Sequence, residues 1–246
     1  MSDNISAADE SKRLVSRIND MIRLAEKRGS VYSSFLNARE CVLAEAELKR
    51  LMYDNYCFYG LFENAERKML CVFKEYYQPE NSDFPMTCLT FSYRKENKLT
   101  HRDFLGAIMA LQIKRETVGD IVIGDGTAQI AVSDSVGNVI KSDIRKIGSV
   151  GVKVSDECGT VLKKVQEFKE IKGTVASLRL DSVLSLALNM SRSRTAGIIK
   201  GIGAEVNYFL KYDSSFNLSQ GDIISVKGFG KYRLEEISGI TKKGRI

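Results

Sequence analysis

Tryptophan is absent from this 246-residue chain, histidine occurs once, proline twice and cysteine five times. Each scarcity closes a class of function. With His101 as the sole imidazole, a metal site built from several histidines is excluded, and a histidine-dependent dyad or triad has a single candidate. Cys41, Cys57, Cys71, Cys88 and Cys158 are odd in number and hold no C-x-x-C pair. They read as reduced thiols packed as small hydrophobes, not as a disulfide frame or zinc ligands. With only Pro79 and Pro85, long structureless linkers are not expected. No apolar run approaches the roughly 18 residues that a membrane span needs, and the polar, acidic start lacks the pattern of a secretory signal. A cytoplasmic protein without membrane contact is expected.

What is present is the composition of a soluble globular chain, 43% hydrophobic and 28% charged, long enough for one large domain or two to three small ones. The net charge of +6 is unevenly spread. Val175 to Ile246 carries 11 Lys and Arg against 6 Asp and Glu, and the remaining 174 residues carry 26 against 25. A positive field confined to one region suits a polyanion-binding module on a near-neutral body, and a merely solvated basic tail would give the same count.

Hydrophobic spacing divides the chain further. Ile5, Leu14, Ile18, Met21, Ile22 and Ala25 predict an amphipathic helix over 5–28, stopped by Gly29, and a second helix is expected over 38–53. Short strands follow at 56–59 and 69–73, then a loop over 78–85 holding both prolines. Thr87 to Tyr93 alternates as a strand, and Thr100 with Asp103 predicts a capped helix through Leu111. Strands at 120–123 and 128–132 flank the turn Gly124-Asp125-Gly126. A helix over 134–147 and a strand over 150–154 complete the order β-α-β-β-α-β, the ferredoxin-like split arrangement shared by many RNA-binding and other domains. Its third strand has no aromatic where a base-stacking platform would stand, so Phe91 and Tyr93 read as core.

After a charged connector (163–172), Leu180, Val183, Leu184, Ala187 and Leu188 keep the spacing of one buried helical stripe. Asn189-Met190 turns the chain, and Ser191 is a good N-cap for a second helix ending near Lys200. Arg192 and Arg194 then stand in its first turn, where positive charge opposes the helix dipole at a cost of about 0.3–1 kcal/mol. A docked phosphate would offset that cost, as would a neighbouring carboxylate. Strands are expected at 205–209, 223–227 and 232–237, with a basic ending through Lys242, Lys243 and Arg245.

Arg179-Leu180-Asp181, Ser191-Arg192-Ser193, Ile198-Ile199-Lys200, Val206-Asn207 and Gly221 to Val226 together resemble the RNA-binding S-four domain, named after the fourth protein of the small ribosomal subunit. Thr195 stands where that domain customarily has alanine. The stretches Thr100 to Ala107, Ile113-Lys114-Arg115, Gly119-Asp120-Ile121 and Gly228 to Arg245 extend the resemblance to bacterial YlmH-type proteins over nearly the full length. It implies an α+β protein with an N-terminal α/β domain (1–80), a ferredoxin-like, RRM-like middle domain (81–160) as a second RNA contact or a protein-docking surface, and a small αα-β domain of the S-four type (175–246). It also implies a non-catalytic factor without cofactor or metal, monomeric off the ribosome. Such a factor would bind ribosomal RNA on the large ribosomal subunit, with peptidyl-tRNA as a further partner, in ribosome-associated quality control. The matching RNA contacts are Arg179, Ser191, Arg192, Arg194, Lys200, Asn207, Lys227, Lys231, Lys242, Lys243 and Arg245. Arg179-Leu180-Asp181 is also similar to the catalytic Arg-Leu-Asp of pseudouridine synthases. The alternative is therefore an RNA-modifying enzyme, a pseudouridine synthase or methyltransferase, that uses the same domain for targeting. Against it, Asp181 is followed by a continuing helix, where capping or pairing at the helix start is the expected role.

Overall fold

The computed structural model describes residues 7–157, 159–163, 169–239 and 244–246. The chain divides into two compact units, 1–166 and 167–246. In the first, α1 (Ala7–Arg28) has Asp9 and Glu10 in its first turn and Lys27 and Arg28 in its last, the order its dipole favours. Gly29 follows at φ 92° and ends it. Leu14, Ile18, Met21 and Ala25 pack on α2 (Ala38–Arg50) and on a three-stranded antiparallel sheet. That sheet has β1 (Ser30–Tyr32), β2 (Tyr56–Tyr59) and β3 (Met69–Phe73) in the order β1-β3-β2. The three residues of β1 are too few to show alternation, and the spacing rules pass over them.

The second sheet of this unit holds β4 (Met86–Ser92), β5 (Val118–Ile123), β6 (Thr127–Ser133) and β9 (Lys153–Ser155) in the order β5-β6-β4-β9, every pair antiparallel. Helix α3 (His101–Ala110) joins β4 to β5, and α4 (Asp134–Asp143) follows β6. The helix expected to reach 147 stops at Asp143. The strand expected over 150–154 is divided, because β7 (Lys146–Ile147) and β8 (Val150–Gly151) form a hairpin about Gly148 at φ 58° before β9 begins.

Both faces of the sheet are covered. On one, Leu89, Phe91, Ile130 and Val132 meet Phe104 and Ile108 of α3 and Ile140 of α4. Phe91 meets Phe104 edge-on at 5.5 Å and Tyr93 lies tilted against the same ring at 5.9 Å, so both aromatics of β4 and its exit belong to the core. On the other, Val122 and Ala131 pack with Phe35, Phe62, Met69, Cys71 and Phe84. Gln129 is buried there, its amide donating to the Thr160 carbonyl at 3.2 Å and accepting from Leu162 N at 2.7 Å. Residues from 1–80 and 81–160 thus share one core.

That shared core forces a close approach at β5. Its pairing with β6 shifts register between Val118 and Ile121, a bulge containing Gly119 and Asp120. A Cβ at Gly119 would stand 2.7 Å from the Phe35 ring and 2.9 Å from Ala131 Cβ. Asp120 accepts from the amides of Glu66 and Arg67 at 2.9 and 3.0 Å, tying the approach to β3 onto the bulge. Gly119→Ala is expected to lower stability by about 1–3 kcal/mol through overpacking, read as a lower urea midpoint at unchanged m-value.

In the second unit, α5 (Leu180–Ala187) and α6 (Arg192–Ile202) pack through Leu180, Leu184 and Ile199. Their partner is an antiparallel sheet of order β11-β10-β12-β13, made of β10 (Ala204–Val206), β11 (Phe209–Lys211), β12 (Ile223–Val226) and β13 (Gly230–Arg233). The single strand expected over 205–209 is a hairpin. Asn207 at φ 49° and Tyr208 at φ 69° make its two-residue turn. Tyrosine is not a residue that announces a left-handed turn, which is why the pattern read as continuous. Among the described residues, no helix is long and apolar enough to cross a membrane.

Candidate nucleic-acid interface

The second unit begins with a helix whose first donors are already used. Leu180 N and Asp181 N donate to the carbonyls of Phe216 and Ser214 at 2.8 and 3.0 Å, so the loop before β12 caps α5 in place of a side chain. Arg179 is the cap residue, and Asp181 stands in the first turn with its side chain only 6% exposed. Its carboxylate takes Arg179 Nε and Nη2 at 3.3 and 3.1 Å, and Arg192 Nε and Nη2 both at 3.1 Å. One buried carboxylate therefore gathers two guanidinium groups, from the start of α5 and the start of α6. Burial alone would raise the Asp181 pKa, but hydrogen bonds and charge from Arg179 and Arg192 outweigh it and hold the acid below its ordinary range.

This pairing answers part of the argument from the helix dipole. Arg192 does stand in the first turn of α6, and the carboxylate of Asp181 meets its charge. The pairing expected of Asp181 at the helix start is what the structure has. Two cations against one anion still leave the trio positive, and the side chains of Arg179 and Arg192 remain 37% and 47% exposed. Ser191 caps α6, its hydroxyl accepting from Arg194 N at 3.3 Å. Thr195 is buried, and its hydroxyl donates to the Ser191 carbonyl at 3.1 Å, a bond alanine could not make.

Helix geometry then separates the remaining cations. At about 100° per residue, Lys200 lies about 80° from Arg192, on the same flank of the buried stripe Thr195–Ile199. Arg194 lies about 200° from Arg192, on the opposite flank. Arg194 and Lys200 are exposed, and neither makes an ion pair among the described residues. Arg179 and Arg192 are thus brought together at Asp181, with Lys200 on Arg192's flank of α6 and Arg194 on the other.

The other expected contacts divide similarly. Asn207 donates to Asp222 at 2.8 Å and accepts from Ile223 N at 3.0 Å, so its amide holds the β10–β11 turn. Lys227 is exposed at the end of β12. Lys231 on β13 carries its ammonium 5.1 Å from the Tyr208 ring centroid, within cation–π range. Arg245 donates to the Thr174 carbonyl at 3.2 Å. Lys242 and Lys243 lie outside the described residues. Outside the motif, Lys211 carries its ammonium 4.9 Å from the Phe216 ring.

Asp181→Asn should lower stability by about 1.5–3 kcal/mol, the scale of hydrogen bonds to charged groups. Because the folded pKa lies below the unfolded one, the carboxylate's contribution is present above the unfolded value near 4 and lost as pH falls through the folded value. Urea midpoints of the wild type and Asp181→Asn should therefore converge as the solution is acidified.

A mixed α+β protein carrying a cationic helix pair on its last 80 residues is the class these features define. Residues 79–159 match a domain family described as "Putative RNA-binding domain in YlmH". The chain is 32% identical over 215 residues to the Ribosome-associated protein quality control protein P2 of Bacillus subtilis, covering 87% of this chain and 83% of that one. A solved structure titled cell division protein ylmH, from Streptococcus pneumoniae, superposes with a TM-score of 0.52 at 24% identity, over 64% of this chain and 96% of that chain, a likeness of fold. The chain belongs to the YlmH-type family of RNA-binding proteins.

Proposed function

We propose that this protein is a non-catalytic RNA-binding factor of the ribosome, and that its second unit is an S-four-type module that grips structured ribosomal RNA on the large subunit. The observation that carries this reading is the convergence of Arg179 and Arg192 on Asp181 with Lys200 on the same flank. Preoriented guanidinium forks suit phosphate better than mobile lysines do. The printed name of the Bacillus subtilis relative, a ribosome-associated quality-control protein, supports the ribosome as the place of action, and peptidyl-tRNA is the proposed further contact. The β5-β6-β4-β9 order is that of a ferredoxin-like domain, which we assign to the middle of the first unit. Asp181 is the residue that resembles a catalytic aspartate, and its engagement by two arginines supports a positioning role over a chemical one.

Charge reversal at Arg192 is a poor test, since it would set a second carboxylate against Asp181 and perturb the helix pair itself. Lys200→Glu is the cleaner variant. It should weaken co-sedimentation with large subunits and reduce the salt slope of binding by about one unit, at an unchanged melting temperature. Arg194→Glu, on the opposite flank, should weaken binding by less. Equal binding by wild type and Lys200→Glu across a salt series would overturn the assignment.

A further inference from the structure

The first unit contains a cationic cleft that the helix-pair motif does not account for. It has a volume of about 450 Å³ and is lined by Arg17, Glu40, Arg67, Lys114, Arg115 and Glu116, among others. At its wall, Arg67 Nε donates to the Val118 carbonyl at 2.9 Å, while Nη2 reaches the carbonyls of Phe35 and Arg115 at 3.2 and 3.3 Å. Arg115 Nη1 donates to the same Val118 carbonyl. Two like charges converge on one oxygen.

Neither guanidinium forms an ion pair among the described residues, while the fields of Glu40 and Asp120 act on Arg67 and that of Asp120 on Arg115 without outweighing burial. Glu40 caps α2, accepting from Asn37 N at 2.7 Å, and Asp120 holds the amides of Glu66 and Arg67. Glu40 and Asp120 are therefore engaged with backbone, and Glu116 lines the cleft as an exposed acid. Burial, then the field of Arg67, brings Arg115 down to about 10, and burial likewise lowers Arg67. Neutral donors could bind these carbonyls without crowding two half-buried charges. Arg67 Nη1 and Arg115 Nε and Nη2 make no hydrogen bond among the described residues, so both forks keep donors in hand.

We propose that this cleft binds a phosphoryl group, with Arg67 and Arg115 as the fork donors and Lys114 and Arg17 as the outer cations. Four cations against Glu40 and Glu116 leave the lining at a net +2, which a phosphate, with several oxygens and up to two negative charges, matches better than a single carboxylate. The group could come from a free phosphorylated molecule or from an internal phosphate of a nucleic-acid backbone, and both have the same local chemistry. The site is separate from the helix pair and stands whether or not that surface binds RNA.

The test is calorimetric titration of the full chain with two probes: sodium pyrophosphate, and a ten-nucleotide RNA bearing hydroxyls at both ends. The RNA arm is run in the Lys200→Glu background. Binding of either probe should fall at least tenfold in Arg115→Gln and in the double variant Arg17→Gln with Lys114→Gln. Pyrophosphate binding marks a free ligand, and binding of RNA alone marks a polymer. If Arg115→Gln fails to fold, the double variant decides, because Arg17 and Lys114 are exposed. Binding of neither probe, or affinity undiminished in the double variant, overturns the proposal.

Discussion

Everything in the first unit depends on burial of the second face of the four-stranded sheet. An RNA-recognition motif works because one face of its sheet is open, presenting aromatics on which bases stack. Here that face carries Val122, Gln129 and Ala131 and is closed by Phe35, Phe62, Met69, Cys71 and Phe84. The closure is specified, not incidental: Gly119 lacks the Cβ that would strike Phe35, and Asp120 supplies the acceptors that the 66–67 backbone requires. Strand order alone would suggest a binding face, and packing removes it. Any contact this unit makes with a polyanion must therefore use surfaces other than that sheet face, where backbone phosphates can be met without stacking.

The second unit meets the opposite problem, how to hold cations still without neutralising them. A lone arginine loses much rotamer entropy on binding, and a fully paired one has little charge to offer. Asp181 gives an intermediate solution. Buried in the first turn of α5, where the dipole favours it, it orients two guanidiniums while cancelling one charge. The same carboxylate joins the starts of α5 and α6, so the geometry of the pair and the geometry of its charges are fixed together.

Much of this was legible from spacing. The end of α1 at its glycine stop, the capped start of α3 at Thr100, both strands of the β2–β3 pair and the stripe of α5 all follow from local chemistry, while the expected start of α1 at residue 5 lies outside the described residues. What escaped were turns without their usual residues, such as Asn207-Tyr208, and strands of two or three residues, such as β1 and β7. Joining 1–80 to 81–160 could not be read either, because a face buried against distant sequence looks like any half-buried strand. At the candidate site, the motif named Arg179, Arg192 and Lys200. It could not say that Asp181 would draw the first two together, nor that Arg194 would fall on the far flank.

Net charge was the least faithful guide. Counting assigned nearly all positive excess to the last 72 residues and left the first 174 close to neutral. Yet charges differ in what they face. In the first unit, Glu47 lies against Arg50, whereas Glu40 accepts from the start of α2 and Asp120 from two amides, so these two are held by backbone while their fields still reach Arg67. Among the described residues, Arg67 and Arg115 donate hydrogen bonds to carbonyls, which accept them without cancelling a unit charge. A neutral sum thus conceals a concentrated positive cleft, while in the basic second unit the motif's two principal arginines share a buried acid. Which charges act outward is decided by their partners, and those are set by tertiary packing.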